Sequence, residues 1–170
     1  MAVSRNLWIP LAVLAVLGAA VVSYALTQRA AAPVAPTMSF TTLDGRHIRL
    51  EDLHGKVVMV TFWATSCPIC MGEMPDLVET YRRYQPRGFE LITVAMAYDT
   101  PEQVRNFAGS RGLPFPVVLD ASGALARSFD DAKVVPTTFL IDKSGKLVSK
   151  TLGAVDFSKL RQYLDAPLRV

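Results

Sequence analysis

The stretch that most constrains this chain runs Phe62-Trp63-Ala64-Thr65-Ser66-Cys67-Pro68-Ile69-Cys70-Met71-Gly72-Glu73-Met74-Pro75, and it holds both cysteines among the 170 residues. The apolar, β-branched run from Val57 to Phe62 precedes it and reads as a buried strand. After it, Met74, Leu77, Val78 and Tyr81 have the spacing of an amphipathic helix. The C-x-x-C pair therefore stands where a strand ends and a helix begins. A helix N-terminus offers unpaired N–H groups and the positive end of the macrodipole. A thiolate placed there is stabilised, and the thiolate is the nucleophile of disulfide exchange. The spacing predicts Cys67 at the helix tip and Cys70 one turn further in, with a Cα separation of ~5.5 Å that suits a disulfide. In that arrangement Cys67 attacks a substrate disulfide and Cys70 resolves the mixed disulfide. Pro68, without an N–H, fits the first helical turn.

Other uses of the pair stay open from the residues alone. A stapling disulfide is one, but so short a loop constrains the unfolded chain little. Zinc is another, but it takes about four ligands, and His47 and His54 are the only histidines. Each of these reads more simply as a turn residue. Cu(I) is a third, because thiolates are soft ligands and Met71 and Met74 are near in sequence.

Around this centre the chain reads as alternating strands and helices. Ser39 to Arg49 contains Asp44-Gly45, a hairpin signal, and Leu50 to Lys56 forms a turn. The helix from Pro68 is expected to end between Tyr84 and Gly88, kinked at Pro75. Glu90 to Ala97 is a buried strand. Thr100-Pro101-Glu102-Gln103 is a capping box that opens a helix to about Arg111, with Val104 and Phe107 inward. Phe115 to Leu119 is a short strand and Ala121 to Phe129 a short helix. Thr137 to Ile141, a turn at Asp142 to Gly145, and Lys146 to Leu152 form an antiparallel pair. Phe157 to Leu164 closes the chain as a helix. Such alternation predicts an α/β sheet with helices on its faces.

Leu7 to Leu26 is uncharged and 20 residues long, enough as a helix to span ~30 Å of bilayer core. Arg5 before it and Arg29 after it favour, weakly, an N-terminus inside the cell. The rival is a cleaved signal with Ser23-Tyr24-Ala25 at the cut; against it, a signal's apolar region runs only ~7–15 residues. Both readings place the rest outside the cytoplasm. Gln28 to Pro36 is an Ala/Pro linker, which divides the chain into an anchor or signal with linker at 1–36 and a domain at 37–170. The 18 basic and 15 acidic residues include Arg5 and Arg29 within the first part, so the domain is left with a net charge near +1. That balance gives no support to nucleic-acid binding.

The segment Phe62 to Cys70, with Glu73 and Pro75 downstream and Val135-Pro136-Thr137-Thr138-Phe139-Leu140-Ile141-Asp142 later, resembles the thioredoxin superfamily. Within it the chain looks like the membrane-anchored TlpA/ResA-type thiol-disulfide oxidoreductases, over about Ser39 to Leu164. The resemblance implies a three-layer α/β fold: a central mixed sheet with helices on both faces. To this it adds an N-terminal hairpin, a helix–strand insertion at Pro101 to Leu119, and one transmembrane helix ahead of the domain. It also implies a cis Pro136 facing the cysteines, although X–Pro bonds are cis in only ~5% of cases. The Val135 backbone is then free to pair with a client as an added strand.

Client contacts are expected at Val135, Pro136, Trp63, Pro68 and Ile69, with Trp63 packed beneath the cysteines. The residues alone leave Glu73 as an exposed acid near the helix start, which the dipole favours. The resemblance makes it the group that takes or gives the Cys70 proton. Thr61 stands where thioredoxins carry a buried aspartate, and Ser66 where many relatives carry tryptophan. The function implied is that of a monomeric reductant without cofactor or metal. It acts on protein disulfides of the cytochrome c maturation or copper-site assembly type. It is anchored by a single pass in a bacterial inner membrane, or secreted if cleaved, and a membrane electron-donor thiol protein re-reduces it. The alternatives are a Cu(I)-handling thioredoxin-like protein and a thiol peroxidase. Peroxiredoxins set a threonine and an arginine around one cysteine, which C-x-x-C fits poorly.

Overall fold

The computed structural model of the protein describes residues 13–21, 23 and 35–166. The chain divides into two compact units, Met1–Pro33 and Val34–Val170. In the first, residues 13–21 are helical and Val13, Leu14, Val16, Leu17 and Val21 are exposed. The anchor expected over Leu7 to Leu26 lies largely outside the described residues. Among the described residues no helix is long and apolar enough to cross a membrane.

The second unit begins with an antiparallel pair, β1 (Ser39–Thr41) and β2 (His47–Arg49), turned at Asp44-Gly45. There follow β3 (Val57–Trp63), α1 (Pro68–Tyr84), β4 (Phe89–Ala95), α2 (Pro101–Arg111), β5 (Val117–Leu119), α3 (Ala124–Ser128), β6 (Thr137–Ile141), β7 (Leu147–Leu152) and α4 (Phe157–Asp165). The five-stranded sheet has the order β5-β4-β3-β6-β7. β3, β4 and β5 run parallel, and β6 and β7 are antiparallel to their neighbours. Thr42 bridges to Val118, tying the hairpin to the β5 edge.

The sheet is mixed, and both faces are covered. Every residue of β3 and β4 is buried, which is why these strands are apolar almost without alternation. On one face Met59, Trp63, Leu91 and Ala95 pack with Cys70, Met74 and Leu77 of α1, Val104 of α2, and Leu160 and Leu164 of α4. On the other, Val58, Val60, Phe62, Ile92 and Val94 meet Phe40, Leu50, Leu53, Ala126 and Phe139. The Phe129 ring is central there, 5.6 Å from Phe62 and 5.1 Å from Phe139. Two tyrosines fix the far end of α1: Tyr81 donates to Glu90 at 3.2 Å and Tyr84 to Asp165 at 2.8 Å.

Element boundaries shift where a local partner outcompetes the ladder. β4 stops at Ala95, not Ala97: the Met96 N–H makes the last ladder bond, to the Trp63 carbonyl, and the Asp99 N–H then closes a turn on the Met96 carbonyl. β5 starts at Val117 because Pro116 has no N–H to offer. α3 begins at Ala124, not Ala121, because Asp120 caps it, accepting from the N–H groups of Leu125 and Ala126 at 3.1 and 2.8 Å. The Thr100/Gln103 capping box forms in full, and α2 ends on Gly112 at φ +56°, a left-handed position that glycine takes without strain. Pro75 lies inside α1 without ending it.

Candidate active site

The sheet places the site at the carboxyl ends of β3 and β4. β3 delivers the chain to the turn 64–67, closed by the Cys67 N–H on the Ala64 carbonyl at 3.1 Å. Cys67 is the N-cap of α1, with φ −91° and ψ 109°, and its Sγ accepts the Cys70 N–H at 3.1 Å. Pro68 follows in the first turn. The two cysteines form a disulfide with their Cα atoms 5.3 Å apart. Cys67 is 8% exposed and Cys70 2%, so the outer sulfur is the accessible one. A thiolate at Cys67 would keep the Cys70 N–H and the open end of the helix dipole as its stabilising partners.

The Val135–Pro136 peptide is cis. The Val135 carbonyl oxygen lies 3.8 Å from Cys67 Sγ. In the disulfide that sulfur has no proton; in the dithiol its S–H would face this carbonyl. β6 thus brings residues from the last third of the chain onto the cysteines. Pro68 and Ile69 are exposed, Val135 is half-buried and Pro136 buried. Trp63 is enclosed at 1% exposure and packs on Phe107 with ring centroids 5.1 Å apart. Its ring supports the site from beneath, and only rearrangement would bring it to a client's surface. Ser66 is exposed on the rim.

Glu73 is not the exposed first-turn acid that its position alone allows: it is 8% exposed. Its Oε1 accepts the N–H of Val155, from the connection between β7 and α4. Burial pushes its carboxyl above the ordinary range; the Val155 N–H opposes this and the Asp76 charge adds to it. The partner at Val155 is 82 residues away in sequence, so no local pattern could reveal it. Thr61 donates to or accepts from Thr138 at 2.9 Å, both buried. This hydroxyl pair cannot titrate, which leaves Glu73 as the buried acid on the helix that carries the cysteines.

Three residues escaped the sequence reading. Asp99 is buried and accepts from both the N–H and the hydroxyl of Thr65. Its signal was its place at the end of a buried strand, where α/β folds gather functional groups. Tyr98 and Val134 are exposed, at 59% and 60%, and flank Asp99 and Val135 in sequence. His47 sits on the hairpin, its Nδ1 3.1 Å from the Thr41 hydroxyl. His54 lies against Gly145, at the other end of the sheet. Among the described residues no three His, Cys, Asp or Glu side chains gather as a metal site.

Residues 29–164 match the Redoxin family. The chain is 39% identical over 130 residues to the thiol-disulfide oxidoreductase ResA of Bacillus anthracis, covering 76% of this chain and 74% of that protein. It is 35% identical over 159 residues to the ResA of Geobacillus thermodenitrificans, covering 92% and 90%. Among solved structures it is similar to a thiol:disulfide interchange protein of the thioredoxin family from Chlorobium tepidum, with a TM-score of 0.74 and 29% identity over 82% of this chain and 98% of that one.

Proposed function

The chain belongs to the Redoxin family and is a TlpA/ResA-like thiol-disulfide oxidoreductase of the thioredoxin superfamily, and from that premise we propose that it works outside the cytoplasm as a reductant of client protein disulfides. The observation that carries this reading is the Cys67–Cys70 disulfide at the N-terminus of α1, with its outer sulfur on the Cys70 N–H. In the reduced protein the Cys67 thiolate attacks one sulfur of the client disulfide and expels the other as a thiolate. Cys70 then gives up its proton to Glu73, and its thiolate attacks Cys67 Sγ. The client leaves as a dithiol with two electrons gained, and this chain is left as the disulfide. A donor dithiol restores it by the reverse exchange.

Client docking falls to the exposed Pro68 and Ile69 and to the Val135 backbone beside the cysteines. The exposed side chains of Ile69, Tyr98 and Val134 give this surface an apolar character suited to an unfolded or extended peptide. Clients of the apocytochrome c or copper-site assembly type follow from the family resemblance. A dedicated reducing route is needed where disulfides otherwise persist. Residues 1–36 serve as membrane anchor and linker for a thioredoxin-like domain at 37–170, supported by the uncharged run from Leu7 to Leu26.

Redox titration of the cysteine pair tests the direction. A potential near ~ −270 mV supports the reductant, whereas one near ~ −120 mV makes the protein an oxidant. Membrane fractionation with N-terminal sequencing tests the anchor. A mature chain that begins after Ala25 and washes off membranes overturns it.

A further inference from the structure

The carboxylate of Asp99 has no part in the exchange chemistry, yet it is tied to the turn that carries Cys67. Asp99 is 7% exposed, and its own N–H donates to the Met96 carbonyl at 3.0 Å. Both of its oxygens are engaged by one residue: Oδ2 accepts the Thr65 N–H at 2.8 Å and Oδ1 accepts the Thr65 hydroxyl at 2.9 Å. The same loop is docked a second time by the Met96 N–H on the Trp63 carbonyl at 3.0 Å. Thr65 stands two residues before Cys67. The chain between the end of β3 and the start of α1 is thereby held from outside, and Cys67 keeps the backbone orientation in which its sulfur receives the Cys70 N–H.

We propose that Asp99 is a positioning residue for Cys67: by gripping Thr65 at two points it keeps the Cys67 sulfur on the open N–H groups of α1, and so keeps that thiol acidic and reactive. The inference rests on Cys67 being the attacking thiol. A carboxylate suits the task, because its two planar acceptors match one N–H and one O–H, and bonds to a charged acceptor are the strong ones. Its charge works the other way, since a negative group near a thiolate disfavours the thiolate. Geometry and charge therefore have opposite signs, and substitutions separate them. Asp99→Asn removes the charge but keeps two planar partners: the amide oxygen accepts the Thr65 N–H, and the amide N–H donates to the Thr65 oxygen. Asp99→Ala removes both. The titratable group nearest Cys67 is Cys70, its disulfide partner; α1 also carries Glu73, Asp76 and Glu79, and Tyr98 adjoins Asp99 in sequence. The Tyr98 phenol is pushed above its ordinary value by partial desolvation and by the Asp99 charge; Cys70 and Glu73, on α1, are common to all variants. From the β6 side Cys67 faces the Val135 carbonyl, which does not titrate.

The test is the pH dependence of iodoacetamide alkylation at Cys67 in the reduced full chain, read by mass spectrometry below each variant's unfolding temperature. Asp99→Ala should raise the midpoint by ~1 unit, the order of a lost helix cap, toward the ~8.5 of a free thiol. Asp99→Asn should leave it unchanged or slightly lower. Thr65→Val, which loses only the hydroxyl bond, should move part of the way, and Thr65→Ser should restore the wild-type midpoint. This second pair carries the test if Asp99→Ala does not fold. Lowered midpoints in both Asp99 variants would make Asp99 a charge and nothing more. Unchanged midpoints with a reduced melting temperature would make it a structural residue; either result overturns the proposal. A wild-type protein in which Cys67 alkylates no faster than Cys70 overturns the attacking-thiol assignment itself, and this inference with it. That failure shows in the unmodified protein, before any variant is compared.

Discussion

Cys67→Ser should reduce disulfide exchange to the uncatalysed background, while Cys70→Ser should still attack clients and then stall. The two sulfurs are bonded to each other, but their surroundings differ. Cys67 caps α1 and takes the Cys70 N–H, with the Val135 carbonyl 3.8 Å away and Pro68 and Ile69 exposed beside it. Cys70 is 2% exposed and shares its face of α1 with Met74 and Leu77. The thiolate fraction and access that set the rate of attack both favour the outer sulfur. A serine at Cys67 removes the nucleophile. A serine at Cys70 removes only the group that resolves the mixed disulfide, so client adducts on Cys67 accumulate toward one per protein. Mass spectrometry of those adducts names the clients. Cytochrome c or copper-site proteins among them would give the proposed reductant its substrate. Faster alkylation at Cys70, or adducts trapped by Cys67→Ser instead, would reverse the two roles.

Local chemistry was legible in the sequence, and long-range contact was legible only where a motif advertised it. Val57 to Phe62 declared a buried strand, Cys67-Pro68 a helix start, and Thr100 to Gln103 a cap; each forms in place. The approach of Val135 to Cys67 spans 68 residues, and resemblance rather than periodicity supplied it. The two carboxylates near the cysteines were harder. On a helical wheel Glu73 belongs to a partly exposed turn, and its burial depends on the Val155 N–H arriving from behind β7. Asp99 reads as an ordinary polar residue ahead of a helix cap until the sheet register sets Ala95 beside Trp63. That register brings the loop after β4 onto the turn after β3. Hydrogen bonds between segments far apart in sequence, whether set by parallel β3 and β4 or by the connection after β7, leave no periodic trace, which is why both partners were missed.

Glu73→Gln should slow resolution by Cys70 about 100-fold, the lower range for loss of a positioned proton acceptor, while leaving the fold at least as stable near neutral pH. The two halves of this expectation come from one observation. Burial raises the Glu73 carboxyl above its ordinary 4.5, against the pull of the Val155 N–H. In the window between 4.5 and the raised folded value, the native state holds more protons than the unfolded chain. Stability from this group is therefore complete at low pH and falls as pH rises through that window. A glutamine cannot ionise, and its amide oxygen can still accept from Val155, so the cost of a buried charge disappears. A residue kept only for the fold would do better as glutamine. A residue kept to take the proton of Cys70 would not, and thioredoxin's alternative acid is absent here because Thr61 bonds Thr138 instead. The kinetic loss should be greatest between the raised Glu73 pKa and the pKa of Cys70, shrink at acid pH where Glu73 is itself protonated, and vanish above the pKa of Cys70, where the thiol ionises without help. Stopped-flow resolution of a preformed mixed disulfide, followed from acid to alkaline pH, reads this directly. A glutamine variant that matches the wild type across the whole range would leave Glu73 as a packing group for the Val155 turn.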